Sequence, residues 1–129
     1  MTKTILFIMI TLTLASCDPL FHDDFIIVNN CNEDINVSVI CTEGNEQNFM
    51  VPAQSEYAFY TDEWVGGVSE LKKINYIFKE ITVTKDSMIS KINYVDYTLW
   101  QQEPVESSRR IFYYTDVKYF LPVNPEDFE

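Results

Sequence analysis

The chain reads as an all-β protein, an immunoglobulin-like β-sandwich of about seven strands with one short helix, and three observations predict it. Apolar and polar residues alternate with period two through Ile35-Asn36-Val37-Ser38-Val39 and again from Ile111 to Leu121. β-Branched and aromatic residues fill short runs separated by turns rich in Asn, Asp and Gly. The 129 residues, 47% hydrophobic and 15% aromatic, suffice for one core and not for two. An open β-barrel is the alternative architecture. The Cys-Trp-Cys spacing of a true immunoglobulin domain is absent from the sequence, so the comparison is one of architecture only.

The elements follow in order. Phe25-Ile26-Ile27-Val28 is the first predicted strand, and Asn29-Asn30-Cys31-Asn32-Glu33-Asp34 is turn material. The next strand, residues 35–39, sets Ile35, Val37, Val39 and Cys41 on one face. Glu43-Gly44-Asn45-Glu46 turns the chain into a strand at residues 48–51, closed by Pro52, and a further strand covers residues 56–60. Residues 61–68 hold the Gly66-Gly67 pair and Trp64 and read as a loop. Ser69-Glu70 then caps a short helix whose Leu71, Ile74 and Phe78 share a face. Residues 80–84 form a strand, Lys85-Asp86-Ser87 a turn, and residues 88–94 another strand. Residues 97–108, with Trp100 and Pro104, make an irregular crossing, and residues 109–121 form the last strand, stopped by Pro122.

The N-terminus has a different character. Lys3 precedes an apolar run from Ile5 to Leu14, which is about ten residues where roughly 20 are needed to span a bilayer, and Ala15-Ser16-Cys17 follows. That is the layout of a secretory signal peptide. The tetrapeptide Leu14-Ala15-Ser16-Cys17 resembles a bacterial lipobox, which implies cleavage before Cys17 and a diacylglycerol on its thiol. The division expected is a signal peptide at residues 1–16, a lipidated cysteine and polar tether at 17–24, and one domain at 25–129. Two or more acyl chains, at about 0.8 kcal/mol per buried methylene, hold a protein at a membrane where one chain exchanges. The tether, with His22 solvated within it, reaches at most about 25 Å.

Twenty acidic residues against nine basic ones give a net charge of -11, which excludes a nucleic-acid partner that would need a basic face. Loss of Lys3 with the signal peptide makes the charge more negative still. The single histidine, His22, falls in the expected tether, so no triad or zinc cluster based on histidine is predicted in the domain. No metal site is expected: calcium at residues 43–46 or at Asp62-Glu63 lacks the spaced ligands of an EF-hand loop. No phosphate loop or dinucleotide motif occurs, so no cofactor is expected. Trp64 and Trp100, both in predicted loops, are candidate exposed aromatics for stacking on a sugar or a partner protein, against the plainer reading that they pack in the core. Cys31 and Cys41 are expected to remain unbonded, because the turn at residues 32–34 leaves them about 20 Å apart and a disulfide needs Cα atoms within about 7 Å.

With its Leu14-Ala15-Ser16-Cys17 box, the Phe25-Ile26-Ile27-Val28-Asn29-Asn30 opening, the Ile81-Thr82-Val83-Thr84-Lys85-Asp86 strand and turn, and the terminal Pro125-Glu126-Asp127-Phe128, the chain resembles the small β-rich lipoproteins of Bacteroidota. The resemblance implies a lipoprotein of the cell envelope, anchored in the outer membrane through Cys17, with its periplasmic or surface orientation open. Asp23-Asp24 resemble part of an acidic surface-export signal, and Asp86-Ser87-Met88 resembles the pattern that this group modifies with an O-linked glycan, which makes Ser87 a candidate glycosylation site. The function expected is a binding or structural module with a protein or glycan partner and no enzymatic activity. A small envelope hydrolase working with carboxylates is the alternative.

Overall fold

The computed structural model describes residues 20–65, 70–103, 106–109 and 113–129, the side chains of residues 20, 64–65, 106–109 and 113–115 excepted. Nine strands are described: β1 (Leu20–Asn29), β2 (Ile35–Cys41), β3 (Glu46–Val51), β4 (Glu56–Val65), β5 (Phe78–Lys85), β6 (Met88–Ile89), β7 (Gln101–Gln102), β8 (Glu106–Arg109) and β9 (Tyr113–Val123). A 3-10 turn (Leu71–Lys73) runs into α1 (Ile74–Ile77), and further 3-10 turns cover Tyr97–Leu99 and Pro125–Phe128.

The strands form two sheets, as a sandwich requires, and they do not close into a barrel. One is five-stranded, ordered β4-β1-β9-β7 with β8 also on β9; the other is four-stranded, ordered β3-β2-β5-β6. β1 lies between β4, antiparallel to it, and β9, parallel to it. Period-two alternation turns Phe25 and Ile27 of β1, Val37 and Val39 of β2, Val83 of β5, and Val117, Tyr119 and Leu121 of β9 into one buried core. Phe25 is its hub: it stacks on Tyr119 at 5.0 Å and meets Phe78 and Trp100 edge-on at 5.3 and 6.0 Å.

Several expected boundaries move. β1 starts at Leu20, so residues 20–24 are strand where a tether was expected, because β4 and β9 supply ladder partners on both sides. The helix is shorter than predicted, and Phe78, expected on its face, opens β5. The strand expected at residues 88–94 ends after Ile89. Pro122 does not stop the last strand. The Val123 carbonyl accepts from the Asn30 amide while the Lys118 carbonyl faces Glu103, so even-numbered residues of β9 point their polar groups away from β1. The N–H that Pro122 lacks therefore falls on the side of β9 beyond the last β7 pairing, at Phe120, where no ladder bond is lost.

Candidate functional site

The outward face of the four-stranded sheet is the first candidate. Residues that alternate with the core stand there in two cross-strand rows: Met50, Asn36 and Thr84, continued by Ile89, and Asn48, Ser38 and Thr82. The rows line a shallow depression of about 420 Å³. Every side chain in them is uncharged, in a chain with 20 carboxylates, and the next row outward, Glu46, Ile40 and Glu80, restores the charge. Met50 and Ile89, 54% and 64% exposed, put apolar surface at the two ends of a row whose centre is amide and hydroxyl.

A second depression, of about 210 Å³, opens at the other edge of the sandwich between the β2–β3 turn, β4 and α1, lined by Cys41, Thr42, Glu43, Tyr60, Asp62 and Tyr76 among others. Burial raises the Asp62 carboxyl and, with help from Asp62, the Tyr60 phenol; burial also raises the Cys41 thiol, aided by Glu43, so the thiol stays protonated. Beside it Asp23, 0% exposed on the inner face of β1, is ion-paired with Lys73, whose amine also lies 3.8 Å from Asp62. Burial holds the Lys73 amine at about 8.

On the opposite face of β1, His22 sits between two carboxylates, with Nε2 at 3.1 Å from Asp24 and Nδ1 at 3.2 Å from Glu63. Burial lowers its pKa, but Glu63, Asp24 and Asp116 outweigh that effect and bring it above the ordinary 6.5. His22 is thus a residue of a paired strand, a correction to its reading as a solvated linker residue. Asp23, expected in the tether, is likewise a strand residue, buried and ion-paired. The alternation in His22-Asp23-Asp24 was a signal too short to recognise without the partner strands.

The sequence-derived candidates separate. Cys17 lies outside the described residues. Trp64 falls in β4 opposite Phe21, and its side chain lies outside the described residues. Trp100 is not an exposed aromatic: it is 3% exposed, stacked on Phe78 at 6.1 Å, and its indole N–H donates to the Tyr94 carbonyl at 2.8 Å. Its indole lies against Phe25, Phe59 and Phe78, where a large ring fills the core. Ser87 is exposed in the two-residue turn between β5 and β6, where Asp86 takes a φ of 54°. Cys31 and Cys41 are both free thiols; Cys31 is buried, whereas Cys41, expected in the core, is only half-buried because the register with β5 shifts between Ile40 and Cys41. No group of metal-ligating side chains capable of holding an ion occurs among the described residues, and none of the described helices is long and apolar enough to cross a membrane. Compared with known proteins, the chain matches no family model, no curated protein and no solved structure.

Proposed function

We propose that the protein is a lipoprotein of the cell envelope, held at a membrane, by the resemblance the outer one, through an acylated Cys17, and that it presents the uncharged outer face of its four-stranded sheet to a neutral partner, a glycan or a protein segment. The observation that carries the binding role is that face. An acidic chain repels acidic partners, and seven contiguous uncharged side chains, five with amide or hydroxyl groups and the apolar Met50 and Ile89 at the ends of one row, suit a ligand that hydrogen-bonds without bearing charge. The anchor rests on the Leu14-Ala15-Ser16-Cys17 box. With β1 beginning at Leu20, only Asp18 and Pro19 separate Cys17 from the first strand, so an acylated protein stands against its membrane rather than on a long tether. The exposed Ser87 turn has room for an O-linked glycan.

Growth with a labelled fatty acid tests the anchor: label enters the native protein and is lost in Cys17→Ser, and equal label in both ends the lipoprotein reading. A panel of neutral oligosaccharides and peptides tests the face. Ser38→Arg and Thr82→Arg abolish binding of whichever ligand the native protein retains, and retention unchanged in both variants removes the face from the reading. The intact mass of native protein, compared with that of Ser87→Ala, tests the glycan.

A second reading, a hydrolase working with carboxylates, is favoured by one observation: Glu43 and Asp62 line the same small depression, and Asp62 has the raised pKa that a general acid needs. Hydrolysis of aryl glycosides that disappears in Asp62→Asn supports it; equal rates in the two proteins exclude it.

A further inference from the structure

His22 makes two contacts that a neutral imidazole cannot make with two ionised carboxylates. An ionised carboxylate only accepts hydrogen bonds, and a neutral imidazole has one N–H and one lone pair, so one of the two ring nitrogens would face an oxygen with no proton between them. Both contacts are at hydrogen-bond distance, 3.1 Å to Asp24 and 3.2 Å to Glu63. The group of three therefore holds a proton beyond the neutral ring and two carboxylates, whichever atom carries it.

The position of the group decides what that proton does. β1 is central, and His22 lies in register with Glu63 on the edge strand β4 and with Asp116 on β9. Asp24, two residues on, stands between Thr61 of β4 and Lys118 of β9, and the Thr61 hydroxyl donates to the same Asp24 oxygen that His22 contacts. Glu106 of β8 continues the row beyond Asp116. The described charged groups facing the imidazole are thus Asp24 from its own strand, Glu63 from β4, and Asp116 and Lys118 from β9, with Glu106 in register with Asp116 one strand farther. Carboxylates outnumber the one lysine. Without the extra proton, Glu63 and Asp24 repel one another across the β1–β4 seam, and β4 has no second neighbour among the described strands.

We propose that His22, Asp24 and Glu63 form a proton-dependent clasp that fastens the end of edge strand β4 around residues 61–63 to β1 when the group is protonated and releases it when the proton leaves. The sign follows from the raised affinity for the proton in the folded chain. The fastening is complete below the ordinary histidine value of 6.5 and is lost as pH rises through the higher folded value. The seam that opens is the one between residues 22–24 of β1 and residues 61–63 of β4.

Because His22 is the sole histidine, its ring gives a single pair of imidazole resonances. The experiment uses the full chain in detergent, following that ring by NMR and, in parallel, the amide exchange of peptides covering β4, normalised for the intrinsic pH dependence of exchange and to peptides covering β2. The expected result is a midpoint for the ring above 6.5, with exchange of β4 rising about threefold at the same midpoint, the size that two partly exposed ion pairs allow. His22→Gln removes the rise, and Glu63→Gln, at an exposed position, moves the midpoint down without unfolding the sheet. Lys73 titrates on the other face of the same strands, so a rise that persists unaltered in His22→Gln belongs to Lys73 and overturns the clasp. A ring midpoint at or below 6.5, or β4 exchange that is flat across it, overturns it as well.

Discussion

Asp23 is a carboxylate with no exposed surface on the central strand of the larger sheet, and its partner is an amine that burial holds at about 8. Such a pair gains little over a well-packed apolar one, yet leaving one member alone in the interior is expensive. Asp23→Ala is therefore expected to lower stability by about 3–5 kcal/mol in urea unfolding, whereas Asp23→Leu combined with Lys73→Met recovers most of that loss. A double variant no more stable than Asp23→Ala shows that the pair does more than neutralise a buried charge. Asn29 illustrates the neutral counterpart. Its buried amide donates to the carbonyls of Glu33, Val51 and Pro52 and accepts from the Cys31 amide, closing the end of the sandwich opposite Lys73 with one side chain. Sequence reading saw Asn29 as turn material; two of its four backbone partners, the Val51 and Pro52 carbonyls, come from more than 20 residues away.

Among the elements, the β2–β3 connection shows how a single residue sets a register. Gly44 has a φ of 97°, and its amide donates to the Cys41 carbonyl at 2.9 Å while the Asn45 carbonyl accepts from Cys41. A Cβ at Gly44 would meet nothing, so Gly44→Ala changes only the backbone strain, and a loss of about 1–2 kcal/mol in thermal or urea unfolding is expected. The same strand end settles the thiols. Under native conditions an alkylating reagent is expected to label half-buried Cys41 well before Cys31, which is 1% exposed, and a non-reduced digest should contain no peptide linking the two. Equal labelling would mean that the end near Cys31 opens readily. At the C-terminus, the Asp127 carboxylate accepts from both the Asn124 amide and the Tyr94 hydroxyl, so Pro125-Glu126-Asp127-Phe128 acts as a latch on the coil after β6. The Tyr94 phenol, raised by burial, stays protonated and keeps that donor.

For the whole molecule, the dominant fact is that the first described strand and the last lie side by side and parallel. Parallel neighbours need a long crossover, and here the connection is nearly the entire domain. Loop closure over that distance must precede the reward of pairing, so refolding is expected on the millisecond-to-second scale typical of β-sandwiches, not in microseconds. Deleting residues 119–129 removes Tyr119, Leu121 and Val123 from the core together with the β9 partners of Phe25 to Asn29, and it should abolish cooperative unfolding followed by circular dichroism. A truncated chain that still unfolds in one sharp transition would show that the second half of β1, from Phe25 on, is held well enough by β4 without β9.

What the sequence by itself determined is the class of fold and the strands whose pattern is local. In β2 and β5, side chains alternate between core and solvent, and period-two alternation is a property of the strand alone, so Ile35, Val37, Val39 and Val83 could be placed inside before any partner was known. The candidate face was latent in the same alternation: Asn36, Ser38, Thr82 and Thr84 are the other half of those patterns. Their assembly into one uncharged surface needed the pairing of β3, β2 and β5. Tertiary structure alone decided the status of polar or irregular segments. His22-Asp23-Asp24 has the composition of a tether and becomes strand only because β4 and β9 arrive from about 40 and 95 residues away. Trp100 looks like a loop indole until the crossing carries it over Phe78, and Pro122 reads as a terminator until the geometry of β9 turns its missing N–H toward an unpaired side. In each case a local preference of about a kilocalorie per mole yielded to pairing and burial supplied by distant segments, which no local pattern encodes.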